Sequence, residues 1–413
     1  MLTVLTVDEA QNRVLSSMGG KTVGAEEIDI FAALGRVLAG DIFSPGHIPP
    51  FPRATMDGFA VSSSDTFGAT EDIPALLMLK GEILMGLPPP GGLAMGEAMS
   101  ISTGGMLPSG SDSVVMVEHC DILGDQLAVY RPVAPLENMI LAGDDFQKNE
   151  IVLRKGHLLR SQDIGLLAAL GLLQVKVYKR PRVIIISTGD ELVTPDKNPG
   201  PGQIRDINGY ALYAQVLENG AEPHYLGLFP DRKDALLEVL QDSLHQADAI
   251  LISGGTSVGR RDVTVRVLDG LPGEGVHFHG VSMKPGKPVI YATSNGMPIF
   301  GLSGNPVSAM FSFLLFVRPL LRSLQGLSPF LPHQPGVEAL LDTNFSSPSG
   351  REDYVRVVLS RAKDGTYGEK PRATPVFGVS SLLQTMIKGD GYFVVPRDIE
   401  GLVEGSPVHV ILF

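Results

Sequence analysis

The apolar run Ala249-Ile250-Leu251-Ile252 opens directly into Ser253-Gly254-Gly255-Thr256-Ser257-Val258-Gly259. An unbroken apolar run this short reads as a strand buried on both faces, as in a parallel sheet covered by helices. Parallel neighbours need crossover connections, so helices should separate the strands in the chain. An apolar run from Val183 to Ile186 is followed by a helical segment from about Asn208 to Glu218, a strand near Tyr225 to Leu228 and a helix from Asp231 to about His245. This alternation predicts right-handed βαβ units and a three-layer α/β domain with a mainly parallel sheet. Its last helix starts at Asn305-Pro306, with Asn as N-cap and Pro at the first helical position, and runs to Leu324.

Elsewhere the patterning changes. Val7, Ala10, Val14 and Leu15, then Ile30, Ala33, Leu34 and Val37, fall at helical spacing, and Gln162 to Leu173 returns to it. Between them, four prolines lie from Pro45 to Pro52, and short β-like runs alternate with Gly/Pro turns from Ala54 to about Leu141. The expected organisation is multidomain α/β plus β. A discontinuous helical framework domain (1–48 and 146–176) is interrupted by a β-rich insert (49–145), and the α/β domain (177–326) is followed by a C-terminal small β-barrel (327–413).

Composition narrows the function. A net charge of −12 argues against non-specific binding to nucleic acid and requires a local basic patch for any anionic substrate. The single cysteine, Cys120, excludes an internal disulfide, a Cys-rich zinc site and a Cys-ligated iron–sulfur cluster, and the apolar run before it reads it as a small buried hydrophobe. Met1 to Gln11 carries Asp8 and Glu9 and no basic region followed by an apolar core, so no secretory signal is read and a cytoplasmic address is expected. The apolar stretch Ala309 to Val317, closed by Arg318-Pro319, falls short of the ~20 residues a bilayer requires, so no membrane span is expected.

Three loops should leave apolar strands on one edge of the α/β sheet. In Ser187-Thr188-Gly189-Asp190-Glu191-Leu192, paired carboxylates beside a glycine turn suit hydrated Mg²⁺, and a solvated turn with Asp190 as a helix cap is the other reading. The Ser253 to Gly259 loop delivers backbone N–H groups, with Asp262 as a further acid, and a turn that merely needs positive φ is its alternative. The chain contains no G-x-x-x-x-G-K-[ST], so this is not a P-loop. In Met283-Lys284-Pro285-Gly286-Lys287-Pro288, two lysines on a stiff turn suit an oxyanion. Beside it, Gly301-Leu302-Ser303-Gly304-Asn305-Pro306 runs into a helix N-terminus, which favours an anion. Asp206 precedes a helix as a cap-region residue, and Asp231, with Asp234 three residues on, resembles a capping arrangement. His277-Phe278-His279 has no third ligand at metal spacing, and no G-x-S-x-G elbow is present.

Taken together, Ala54-Thr55-Met56-Asp57-Gly58-Phe59-Ala60-Val61, Ser187 to Leu192, Ser253 to Gly259, Lys284 to Pro288 and Gly304 to Ala309 resemble the molybdopterin molybdenumtransferase family, MoeA and the gephyrin E domain, over nearly the whole chain and in the same order. The resemblance implies a homodimer with four domains per subunit, whose α/β domain binds the pterin in a cleft completed by the partner's β-rich insert. It implies insertion of molybdenum from molybdate into adenylylated molybdopterin with Mg²⁺-dependent release of AMP, between an upstream adenylyltransferase and downstream molybdoenzymes. By motif matching, Asp190, Glu191, Asp231 and Asp262 would serve the metal, and the last three would also serve the cleavage. Ser187, Thr188, Gly189, Ser253, Gly254, Gly255 and Ser257 would hold the substrate, with Lys284, Lys287, Ser303, Asn305 and Pro306. Asp57, Thr103 and Asp145 would act from the partner's insert.

Two departures remove cations from the implied cleft. Asn138-Met139-Ile140-Leu141-Ala142 precedes Gly143-Asp144-Asp145 where family members often carry arginines, and Gly280 stands four residues before Lys284 where many place another lysine. Arg205, in Gln203-Ile204-Arg205-Asp206-Ile207-Asn208, is the candidate replacement. The competing readings are a tungstate-handling paralogue, an adenylyltransferase using ATP, and a non-catalytic dimeric scaffold.

Overall fold

The first helix, α1 (Val7–Ser17), opens with a reciprocal cap: Thr6 Oγ1 accepts from the Glu9 N–H at 3.2 Å, and Glu9 Oε2 accepts from the Thr6 N–H at 2.8 Å. A computed structural model describes residues 4–255, 261–331, 335–361 and 370–413, with the backbone alone at Arg261 and Asp262. The chain divides into two units, one of Met1–Ile28, Gly35–Ala39 and Lys176–Phe413, the other of Asp29–Leu34 and Gly40–Val175. The framework segments expected at 1–48 and 146–176 are thus shared between the two. The second helical stretch expected near Ile30 to Val37 is not a helix. A strand, Ala25–Asp29, leads into a single 3₁₀ turn, Ile30–Ala32, started by Asp29 Oδ1 accepting from the Phe31 N–H at 2.8 Å and followed by Gly35 at φ 71°. A left-handed glycine three residues after one turn leaves no room for a second.

In the unit containing the β-rich insert, six strands form one sheet: β1 (Gly58–Val61), β2 (Ala75–Ile83), β3 (Glu97–Ile101), β4 (Ser113–Met116), β5 (Cys120–Leu123) and β6 (Gln126–Val129), in the order β4-β1-β3-β2-β6-β5. Alternate side chains feed two cores. Phe59, Val61 and Val115 join one, and Ala60, Met99 and Val114 join the other. Cys120 packs half-buried against the first, and burial followed by the neighbouring Asp121 pushes its thiol up to about 12, which keeps it unreactive. Helix α2 (Ser161–Ala169) begins at a buried acid, Asp163. Burial alone would raise its carboxyl, but hydrogen bonds from the Arg160 guanidinium, from His157 Nε2 at 2.7 Å and from the Arg160 N–H at 2.8 Å outweigh this and hold it at about 2.

In the other unit, β7 (Arg182–Thr188), α3 (Asn208–Glu218), β8 (Glu222–Phe229), α4 (Lys233–Ser243), β9 (Ala249–Ser253) and α5 (Arg261–Asp269) alternate as expected. Strands β10 (Gly275–His279), β11 (Ile290–Ser294) and β12 (Met297–Leu302) complete a sheet ordered β8-β7-β9-β12-β11-β10. The pairs β7/β8, β7/β9 and β9/β12 are parallel, and β11 pairs antiparallel with β10 and β12. Leu251, Ile185 and Phe300 point into one core and Ile250, Ile252, Ile184 and Ile299 into the other, which is why β9 carries no polar residue before Ser253.

The apolar helix beginning at Pro306 does not break at Arg318-Pro319. α6 (Pro306–Ser312) passes through a π-turn (Phe313–Val317) into α7 (Arg318–Leu324). The whole span of 19 residues is long and apolar enough to cross a bilayer by length and composition, yet 72% of its apolar window is buried, with Phe311, Phe313, Phe316 and Leu320 fully enclosed. Pro319 has no N–H to offer the carbonyl four residues earlier, and Gln11 Nε2 of α1 donates to that Leu315 oxygen at 2.9 Å. Phe311 packs on Tyr354 and Tyr392 of the C-terminal β-barrel, with ring centres 5.8 and 5.2 Å away. This barrel is formed by β13 (Gly336–Leu341), β14 (Glu352–Ser360), β15 (Arg372–Pro375), β16 (Gly391–Val395) and β17 (Pro407–Leu412), closed in the order β14-β15-β13-β17-β16-β14.

Replacing Gln11 by Ala should lower stability by about 1 kcal/mol through the unsatisfied Leu315 carbonyl, read as a lower urea midpoint at unchanged m. Acid should act through Asp163. Its folded pKa lies below the ordinary 3.8, so its contribution is present above pH 4 and is lost as pH falls from about 4 through about 2. Urea midpoints across that window should fall less steeply in Asp163→Asn than in the unaltered chain.

Candidate active site

The parallel strands β7, β9 and β12 are adjacent, so Thr188, Ser253 and Leu302 end side by side and their loops open at one carboxyl edge. Ligands in open α/β sheets bind at this edge. A cleft of about 500 Å³ lies there. Ser253, Gly254 and Gly255 form one wall and Ser303, Gly304, Asn305 and Pro306 another, with Thr188, Glu191 and Asp231 between them. Gly254 and Gly255 adopt φ of 102° and 66°, and a Cβ at Gly254 would overlap the Thr188 carbonyl oxygen. The glycines therefore serve close approach of two strand ends as well as backbone freedom.

The residues expected from sequence are distributed as follows. Asp190 is exposed and its Oδ1 accepts from the Asp231 N–H at 3.3 Å, while Glu191 and Asp231 line the cleft. Ser187 lies beneath the cleft, fully buried, and donates to Asp206 Oδ2 at 2.9 Å, and Gly189 is buried in the turn beside it. Thr188 Oγ1 is enclosed without a hydrogen-bond partner. Ser257 and the Asp262 side chain lie outside the described residues. Among the described residues no group of three His, Cys, Asp or Glu is arranged to hold a metal ion. Lys284 and Lys287 are both exposed and neither is on the wall of the cleft. Lys284 instead borders a hollow of about 190 Å³ with Asp353 and Arg356 of the barrel. In the other unit, Asp57 Oδ1 accepts from the Thr103 N–H at 2.7 Å and Oγ1 at 2.9 Å, bonds that hold the Asp57 carboxyl below its usual range. Asp145 is exposed, its N–H bonded to the Ile48 carbonyl at 3.0 Å.

Asp206, Tyr225, Asn208 and Ser381 were not legible as site residues, whereas Arg205 was the expected cation. Asp206, 4% exposed, accepts from the Ser187 hydroxyl, from the Tyr225 hydroxyl at 2.7 Å and from the Gly209 N–H at 3.1 Å. Burial and then the Asp206 carboxylate push the Tyr225 phenol well above its usual range. Asn208 joins loops from two other strands, and Ser381 reaches the cleft from the barrel segment, next to Ser380, whose carbonyl accepts from the Val307 N–H at 3.2 Å. Arg205 stands on the cleft wall, with its guanidinium donating to the Pro195 carbonyl at 3.1 Å and to Asn198 Oδ1 at 3.3 Å.

Comparison with known proteins bears on this architecture directly. Residues 5–171 match the MoeA N-terminal region (domain I and II), 184–323 a probable molybdopterin binding domain, and 338–413 the MoeA C-terminal region (domain IV). The chain belongs to the MoeA family. It is 32% identical over 415 residues to the molybdopterin molybdenumtransferase of Bacillus subtilis, covering 99% of this chain and 94% of that protein. It is 36% identical over 395 residues to a putative molybdopterin biosynthesis protein of Methanocaldococcus jannaschii, covering 94% and 92%. The solved structure of a molybdopterin biosynthesis MoeA protein from Pyrococcus horikoshii superposes with a TM-score of 0.85 at 31% identity, with full coverage of both chains. As a MoeA-family transferase the chain is an enzyme of molybdenum cofactor biosynthesis.

Within this MoeA-type cleft, Gly254→Ala should be among the most damaging single substitutions, because the clash is with backbone rather than with a flexible side chain. The expected outcome is a loss of roughly 2 kcal/mol or more in stability, measured by thermal unfolding. An unchanged melting temperature would show that the two strand ends can separate.

Proposed function

We propose that the cleft at the carboxyl ends of β7, β9 and β12 binds adenylylated molybdopterin, and that the chain inserts molybdenum from molybdate into it with release of AMP. The observation that carries this reading is the meeting of two anion-directed loops, Ser253-Gly254-Gly255 and Ser303 to Pro306, with the acids Glu191 and Asp231 around one cleft of about 500 Å³. The volume suits a large small-molecule ligand. The same stretch of chain matches the probable molybdopterin binding domain.

Each group has a chemical task in this reading. The loops offer hydroxyl and backbone donors to phosphate oxygens, while at the helix start the Asn305 N–H is taken by Ser303 Oγ at 3.2 Å and the Val307 N–H by the Ser380 carbonyl. Arg205 adds a cation at the rim. Two carboxylates lining the cleft fit Mg²⁺, which keeps several waters and binds through one or two carboxylates together with substrate phosphates. Glu191 and Asp231 would hold it, with Asp190 fixing the Asp231 backbone. When bound, the ion neutralises charge on the phosphoanhydride oxygens. Molybdate is a substrate and needs its own donors beside the pterin.

The reading includes a homodimer in which Asp57, Thr103 and Asp145 of the partner subunit's insert complete the cleft. Support comes from α3, whose outward Tyr210, Tyr213 and Leu217 are exposed beside the rim residues Ile204 and Ile207. An apolar stripe of this kind fits a protein contact.

The test supplies adenylylated molybdopterin, molybdate and Mg²⁺ and follows AMP release together with activation of an apo-molybdoenzyme. The unaltered chain should release AMP, chelation of Mg²⁺ should stop it, and Glu191→Gln should slow it by about tenfold or more through the lost carboxylate. Tungstate in competition reads the oxyanion preference. Absence of AMP release at every Mg²⁺ concentration would sink the proposal.

A further inference from the structure

Asn208 opens α3 and is 6% exposed, and its side chain bridges loops that the helix itself does not require. Its Nδ2 donates to Ser253 Oγ at 2.7 Å, to the Ser303 carbonyl at 3.1 Å and to the Gly304 carbonyl at 3.0 Å. Two of these acceptors are carbonyls, which never donate, so the amide cannot be turned round and its nitrogen must face all three. The two N–H bonds of Nδ2 are shared among three acceptors, and because an amide nitrogen cannot accept, Ser253 Oγ at 2.7 Å can only receive from it, so its own proton must point elsewhere. Among the described residues that hydroxyl has no acceptor, and Ser253 belongs to the cleft wall. The other end of the amide, Asn208 Oδ1, is enclosed without a partner among the described residues. An orphaned buried acceptor is a cost that functional sites tolerate more often than structural ones.

We propose that Asn208 is a positioning residue that fixes the Ser253 hydroxyl as a one-way donor into the cleft, where it meets a phosphate oxygen of the bound adenylate. This rests on the reading of the cleft given above. A phosphate oxygen only accepts, so it complements a hydroxyl that has been denied the choice of accepting. Ser253 also stands at the end of β9, and the Gly254 N–H beside it is held by the Leu302 carbonyl at 3.1 Å, which fixes this strand end against β12. Asp206 supports the arrangement from below. By binding the Ser187 hydroxyl, the Tyr225 hydroxyl and the Gly209 N–H, it fixes the first turn of α3 and so the place of Asn208.

Calorimetric titration with AMP tests this in the full chain, with Ser253→Ala, Asn208→Ala, the double variant and Asn208→Asp. Ser253→Ala should weaken AMP binding by about tenfold, and Asn208→Ala by a similar factor, because each loses the same oriented donor. The double variant should bind no worse than the weaker single one. Asn208→Asp should bind AMP poorly at pH 8, since its carboxylate accepts the Ser253 proton and turns the hydroxyl round. Relative to the unaltered protein at the same pH, it should recover several-fold by pH 5, as the new carboxyl takes up a proton and donates again. A structural role would give additive losses and no recovery with pH, and either result would overturn the proposal. Should Asn208→Ala not fold, Ser253→Ala and the pH comparison within Asn208→Asp decide alone. An unaltered protein that does not bind AMP would overturn the reading of the cleft itself. Binding by the unaltered protein with equal binding by Ser253→Ala would overturn only the role given to Asn208.

Discussion

Burial of both faces of β9 is the constraint on which the rest of this unit depends. With Ile250 and Ile252 in one core and Leu251 in the other, the strand has no solvent side, so it must lie inside a parallel sheet with helices above and below. Its two neighbours, β7 and β12, are parallel to it, and this brings three strand ends to the same level. A site built from Thr188, Ser253 and Ser303 follows from that topology, because residues 50 and 65 positions apart in the chain become neighbours when their strands run the same way. The first polar residue of β9 is also its last residue, and it is the one that faces the cleft.

What could be read from the residues was whatever depends on local chemistry. The apolar runs of β7 and β9, the Asn305-Pro306 helix start and the Ser253-Gly254-Gly255 turn each carry their own signal within a few residues. Asn208 carried none. Its partners lie 45, 95 and 96 residues away, and only the folded sheet shows that one amide serves all three. Tyr225 was hidden for the same reason, since it reads as one more aromatic of a half-buried strand until Asp206 is seen against its hydroxyl. The stretch from Ile30 to Val37 failed differently. Its helical spacing is present, but Asp29 and Gly35 limit the structure to one turn, and local caps outrank periodicity over so short a run.

The core helix shows sequence and packing settling a conflict together. Pro319 interrupts the hydrogen-bond ladder of an otherwise apolar segment, and the chain answers with a π-turn just before it and a side-chain donor, Gln11, from a helix some 300 residues earlier. The α1 segment thereby becomes part of the α/β unit instead of a separate framework. Such long-range repair keeps the helix continuous up to the barrel, through which Ser381 reaches the cleft.

Charge is what the cleft must solve next. Glu191, Asp206 and Asp231 face it or lie just beneath it, Arg205 is the guanidinium on its wall among the described residues, and the two lysines of the Lys284 to Lys287 turn are off its wall. Asp206 is already saturated by three donors, so its charge is spent inside the protein. Glu191 and Asp231 line the cleft of a chain whose net charge is −12. Acids on the lining work against direct Coulomb attraction of an anion. Oriented neutral donors can supply affinity, since they favour a phosphate without carrying charge of their own, and a divalent ion between carboxylate and phosphate can turn the acids from a repulsive wall into part of the binding surface. In the function proposed here, a fixed Ser253 hydroxyl and a pair of acids would be complementary parts of one solution: the first would work without the ion, and the second would require it.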